Sequence, residues 1–200
     1  INACMDEITQ VPELQPHLAP ALPTELPPAL WAWFEARGWQ PRPHQLAVLA
    51  HTRAGNSVLL SAPTGGGKTL AGFLPSLCDL MAGDATVGDP AEFDGRLHTL
   101  YLSPLKALAV DVRRNLEEPI ADMGLSIRVE SRTGDTPQSR RQRQRRNPPH
   151  MLLTTPEQLA LLLSYRDAGR YFAKLRYVII DELHALAANK RGDLLALGLA

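Results

Sequence analysis

The hydrophobic positions of this chain fall into short, nearly continuous runs separated by longer periodic stretches. "SVLLSA" (57–62), "HTLYLS" (98–103), "SIRVES" (126–131), "MLLTT" (151–155) and "YVIID" (177–181) read as strands. The stretches 68–82, 105–122, 137–146, 156–165 and the one after 188 read as helices. Strands apolar on both faces that alternate with helices predict an α/β fold, with a parallel sheet covered on both sides. Upstream, Leu30, Trp33 and Phe34 share one face of a helix predicted from a Thr24 cap to about Arg37, with Gly38 as its stop. A second helix is predicted from His44 to about Arg53. Four prolines, Pro12, Pro16, Pro20 and Pro23, make residues 1–23 an irregular segment before a single domain over 24–200. "GDATVGDPAEFDG" (83–95) reads as a surface loop, and no internal repeat is present.

Composition narrows the class without choosing a function. The 200 residues are 44% hydrophobic and 21% charged, ordinary for a globular domain. Formal net charge is zero, so any nucleic-acid partner must be met by a local patch rather than a global field. Cys4 and Cys78 are too few and too far apart for a disulfide framework, which fits a reducing cytoplasm. No apolar run approaches the ~18 residues of a membrane span, and no basic-then-apolar leader opens the chain.

The first candidate chemistry lies at "SAPTGGGKTL" (61–70), which follows a predicted strand and opens a predicted helix. Glycine loses the most conformational freedom on folding, so three in succession need a compensating role. They let backbone N–H groups curl toward one centre at a helix N-terminus, where phosphate is favoured. Thr64, Gly65, Gly66 and Gly67 would line this cradle, Lys68 would reach the β- and γ-phosphates, and Thr69 would hold Mg²⁺ through its hydroxyl. Ala62 stands where the usual pattern has its first glycine. The plain alternative is a glycine turn beside a helix.

"YVIIDELH" (177–184) supplies the second half. An apolar strand ending in two acids puts Asp181 at the carboxyl edge of the sheet, where open parallel sheets bind ligands. Asp181 would hold magnesium, and Glu182 would orient and deprotonate the attacking water. A solvated acid pair at a strand end is the alternative. Together with the glycine loop, the pair points to a nucleoside triphosphate.

"APTGGGKT", "SPLKALAVD" (103–111), "RTGDT" (132–136), "TTPEQL" (154–159) and "DELH" (181–184) occur in the order of the first motor domain of superfamily 2 helicases. Over roughly residues 30–200 the chain resembles this group. "RTGDT", "TTPEQL" and "DELHALAANKRG" resemble the Lhr-type DNA helicases, and "ARGWQPRPHQ" resembles the bacterial ligase-associated DEXH-box branch. The resemblance implies a RecA-like three-layer sandwich and an ATP-driven translocase on single-stranded or partly duplex DNA. It also implies 3′-to-5′ movement and a role in DNA repair.

Residue roles follow from the same resemblance. Gln45 would pair with adenine N6 and N7, with Arg42 bracing the base or a phosphate; a polar pair on an exposed helix start is the alternative. Pro104, Lys106, Arg132, Thr133, Gly134, Thr155 and Pro156 would grip the strand's phosphodiester backbone, tolerant of sequence. Thr155 is equally a helix cap. His184 would couple the two sites. The basic run "SRRQRQRR" (139–146) could attract phosphate or form a solvated helix, and both readings stay open. Trp31, Trp33 and Trp39 are expected to pack the first helix rather than stack on bases.

The chain stops at Ala200, before a Ser-Ala-Thr type motif and a second motor domain carrying an arginine finger. It is therefore expected to be a fragment that binds nucleotide weakly and barely hydrolyses it, since such a finger is worth ~10³–10⁵ in rate. Rival readings are an RNA helicase, a P-loop small-molecule kinase and a silent ATP-binding module.

Overall fold

The computed structural model describes residues 26–63, 65–82, 97–187 and 189–199; the segment 1–23, the Thr24 cap, the 83–95 loop and Thr64 lie outside the described residues. Four strands, β1 (Thr99–Leu102), β2 (Val129–Arg132), β3 (Met151–Thr154) and β4 (Tyr177–Ile180), form a parallel sheet in the order β2-β3-β1-β4. Thr99 stands opposite Met151 on one side and Tyr177 on the other, and Val129 stands opposite Met151.

Successive side chains of a strand point to opposite faces, and the two cores divide accordingly. Tyr101, Met151 and Leu153 join Phe73, Leu74, Leu77, Val112 and Leu116 in one core. That face is covered by α1 (Pro28–Ala36), α2 (Pro43–Arg53), α3 (Lys68–Ala82) and α4 (Lys106–Asp122). Leu100, Leu102 and Leu152 join Leu159, Leu162 and Leu195 in the other. There α6 (Pro156–Leu163), α7 (Ala168–Phe172), α8 (Leu183–Ala187) and α9 (Lys190–Leu199) supply the cover. This is the expected three-layer α/β arrangement.

The differences have local causes. The first helix begins at Pro28: Pro27 is held extended at φ −53° and ψ 142°, and a proline at the first helical position is favourable. The run 57–62 joins no ladder, and Leu59 is 80% exposed. Its apolar pattern specifies burial of both faces but no partner edge, and β4 remains at the rim of the described sheet with Val178 exposed.

The basic run forms α5 (Gln138–Arg146), and four of its arginines, though partly or largely exposed, are engaged by groups of the same molecule. Buried Glu130 on the outer strand β2 accepts hydrogen bonds from Arg143 at 2.8 Å, Gln144 at 3.0 Å and Arg140 at 3.3 Å. Arg145 forks onto Asp167 and lies over the Tyr165 ring at 4.2 Å. Arg141 donates to the Thr133 and Gly134 carbonyls. Burial raises the Glu130 carboxyl, but Gln144 and the two arginines more than offset it, leaving it below the ordinary glutamate range. A carboxyl lowered on folding contributes stability that is present above its unfolded value of about 4.3 and lost as pH falls through the folded value. Glu130→Gln is therefore expected to destabilise the fold by about 2 kcal/mol at pH 7. The deficit should shrink as the pH is lowered below about 4. Urea unfolding at pH 7 and pH 3.5 checks both; an equal deficit at the two would contradict this assignment.

Candidate active site

The direction of α3 decides whether Lys68 and Asp181 share one end of the sheet. Three contacts fix it. Asp79, late in α3, accepts a hydrogen bond from Tyr177 at the start of β4, at 2.7 Å. Ser76 accepts from Thr99 at the start of β1, at 2.9 Å. Phe73, a turn earlier, stacks on Tyr101 further along β1, ring centroids 5.5 Å apart. The helix thus runs antiparallel to the strands, and its N-terminus, with Lys68 and Thr69, lies at their carboxyl ends beside Asp181. A Cβ on Gly72 would stand 3.2 Å from Ile179 Cγ2, so α3 crosses β4 in close contact.

The glycine loop is built as its composition demands. Gly65 and Gly67 have φ of 74° and 77°, the left-handed region that side chains disfavour. A Cβ on Gly66 would meet the Pro63 carbonyl at 2.8 Å. The Lys68 ammonium folds back over the loop and donates to the Ala62 and Pro63 carbonyls at 2.5 and 3.0 Å.

At the end of β4 the Asp181 N–H donates to Leu102 O at 2.9 Å, prolonging the ladder by one residue. Its carboxylate accepts the Tyr101 hydroxyl on Oδ2 at 2.6 Å and the Glu182 N–H on Oδ1 at 2.9 Å. Burial, then the Asp181 carboxylate, hold the Tyr101 hydroxyl above its ordinary value, so it remains a donor. Glu182 has φ 49°, the sole non-glycine residue in this region among those described. Strain of this kind collects at functional sites. His184 lies against the Glu182 carboxylate at 3.3 Å with its side chain 82% exposed.

Arg42 and Gln45 attach the start of α2 to the same loop. Arg42 donates to Gly65 O at 3.2 Å and the Gln45 amide donates to Gly67 O at 3.3 Å. Gln45 is 3% exposed, and its amide oxygen accepts the Arg42 N–H at 2.8 Å, one arm of a helix cap. At this helix start Gln45 is buried while Arg42 and Pro43 stay exposed. Beside it opens a cleft of about 590 Å³ lined by Phe34, Trp39, Arg42, Gln45, Thr69 and Leu116. Trp33 is buried as expected; Trp31 and Trp39 are exposed, and Trp39 forms part of this wall.

Loops after β1, β2 and β3 meet in a second cleft of about 610 Å³ that includes Pro104, Lys106, Gly134, Thr155, Glu157 and Arg191. Lys106 donates to Asp135 at 3.0 Å, and Arg191 forks onto Glu157. Burial raises the Glu157 carboxyl, but hydrogen bonds from Arg191, Thr155 and the main chain together outweigh it and draw the group down to about 2. Both cations of the groove therefore face a fixed anion. Arg132, expected to touch a strand, does not line the groove: it is 1% exposed, with its guanidinium turned toward the Arg141 carbonyl and the Tyr165 hydroxyl. Thr133, Thr155 and Pro156 are also buried, and at Thr133 it is the main chain that reaches Thr136 and Arg141. Tyr101, Glu157 and Arg191 were not singled out in the sequence. Only the second lies in a motif as quoted there for strand contact, and nothing in local spacing marks the first.

Residues 42–200 match the DEAD/DEAH box helicase family. ATP-dependent helicase Lhr-Core protein 2 of Thermococcus barophilus is 40% identical over 177 residues, which is 84% of this chain and 20% of that protein. Lhr helicase/probable uracil glycosylase of Mycolicibacterium smegmatis is 44% identical over 178 residues, 84% of this chain and 11% of the relative. Among solved structures, Mycobacterium smegmatis helicase Lhr bound to ssDNA and AMP-PNP superposes with a TM-score of 0.75 at 41% identity, over 87% of this chain and 22% of that one. DUF1998 helicase MrfA bound to DNA and AMPPNP gives 0.70 at 30% identity, over 84% and 22%. The chain thus spans about a fifth or less of the length of these curated relatives.

Proposed function

The chain belongs to the DEAD/DEAH box helicase family, and from that premise we propose that residues 24–200 are the first RecA-like motor domain of an Lhr-type helicase that hydrolyses ATP to move along single-stranded DNA. One observation carries the reading. The glycine loop, Lys68 and Asp181 converge at the end of the sheet where the loops after β1, β2 and β3 form a groove.

The residues present fit a triphosphate. The cradle has no room for a Cβ at Gly66, and two of its glycines hold positive φ. The Lys68 amine, now on two main-chain carbonyls, would turn to phosphate oxygens, a stronger charge-assisted pairing. When bound, the magnesium–triphosphate supplies the phosphoanhydride that is cleaved. Thr69 and Asp181 offer the hydroxyl and carboxylate that a cation retaining several waters requires. Phosphate oxygens of the nucleotide and water would complete the cation's ligands. Glu182, one residue on and in contact with His184, would orient the attacking water and accept its proton. Gln45 would pair with the adenine edge and Arg42 would brace the base or a phosphate, in exchange for their present contacts to the loop.

In the groove, Lys106, the Gly134 backbone and the Thr155 start of α6 would meet strand phosphates. The second motor domain would supply the arginine finger, and a cytoplasmic location is part of the proposal. No described helix is long and apolar enough to cross a membrane. DNA is favoured over RNA because the two DNA-bound structures above are also similar in sequence. ATP turnover by the full-length protein should rise at least about tenfold with single-stranded DNA. Equal or greater stimulation by RNA of the same length would overturn the DNA assignment.

A further inference from the structure

Tyr101 carries a hydroxyl that no motif accounts for. It is 1% exposed, at the third position of β1, and donates to Asp181 Oδ2 at 2.6 Å. Its register partner on β4 is Ile179, so the side chain reaches two residues along the neighbouring strand to find this carboxylate. The ring is held from the other side by Phe73 of α3, centroids 5.5 Å apart at 26°. Asp181 is therefore tied to β1 twice, by its N–H to Leu102 O and by its carboxylate to Tyr101. The Glu182 N–H on Oδ1 occupies the other carboxylate oxygen, and together these donors fix the plane of the group. A carboxylate at a strand end that faces solvent otherwise rotates freely about its last bond. Three residues after Tyr101 the same strand enters the groove loop at Pro104 and Lys106.

We propose that Tyr101 is the positioning residue that aims Asp181 at the nucleotide-bound cation and joins that carboxylate mechanically to the strand groove. The proposal rests on the nucleotide reading given above. Partners of this kind are worth about 10- to 100-fold in metal affinity or activity.

Two variants of the full-length protein separate the hydroxyl from the packing. Tyr101→Phe keeps the ring against Phe73 and removes the donor; Phe73→Leu loosens the stack and keeps it. For Tyr101→Phe the magnesium concentration giving half-maximal turnover should rise about tenfold or more, while magnesium-free binding of a fluorescent ATP analogue changes by less than about twofold. Phe73→Leu should leave the magnesium requirement near that of the parent. An unchanged magnesium requirement in Tyr101→Phe, or an equal shift in both variants, would overturn the positioning role. Asp181→Asn measured alongside keeps the two readings apart. If that variant retains magnesium-dependent turnover, the nucleotide assignment itself fails; if only Tyr101→Phe is silent, the inference about Tyr101 fails alone.

Discussion

Replacing Lys68 by alanine is expected to lower DNA-stimulated ATP turnover by the full-length protein about 10²- to 10³-fold, the usual loss when one preorganised donor to developing charge is removed. The ammonium sits at the first residue of α3, held over the loop by the Ala62 and Pro63 carbonyls. Both are backbone acceptors on the loop surface, so their loss leaves no buried group unpaired that water cannot reach. Alanine is also the better helix former, and the fold should be retained. The loss should appear in nucleotide binding as well as in turnover. Steady-state hydrolysis with saturating single-stranded DNA, beside titration of a fluorescent ATP analogue, measures both. Turnover within about threefold of the parent, against the expected 10²-fold, would remove Lys68 from the machinery.

Asp181→Asn should separate binding from hydrolysis. The amide can turn its oxygen to the Glu182 N–H and its NH₂ to the Tyr101 hydroxyl, which accepts as readily as it donates. Both existing contacts survive, and the charge alone is lost. Turnover should fall by about 10²-fold or more while magnesium-free nucleotide affinity stays within about threefold, because the carboxylate acts on the cation and not on the phosphates directly. A parallel fall in both would mean that Asp181 supports the loop rather than the metal.

The strands β1 and β3 were legible because each is a short, largely apolar run buried on both faces, and β4 because its run is wholly apolar although it stands at the sheet rim with Val178 exposed. The run 57–62 has the same texture and no ladder, since pattern reports which faces want burial but not which edge is offered. Lys68, Asp181 and the glycines were legible through spacing, because their chemistry depends on neighbours in sequence. The buried course of the Arg132 side chain was not legible for the opposite reason. A motif position identifies the loop, whereas the direction of one long side chain is set by α5, whose carbonyl at Arg141 takes up the guanidinium. The fate of the arginine run turned on Glu130, a single acid on a different element that attracts two of its members inward. Tyr101 and Arg191 were invisible because each acts on a residue far away in sequence, Asp181 and Glu157, and no local period records such a pairing.

The bite of the site is set by a hydrogen atom. Where the helix carrying the lysine passes over the strand carrying the aspartate, Gly72 leaves Ile179 just enough room. A single methyl added there would press on the Ile179 side chain at 3.2 Å, and either that side chain or the helix would have to give by a few tenths of an ångström. The spacing between the two elements that carry Lys68 and Asp181 is thus gauged four residues down the helix from that lysine.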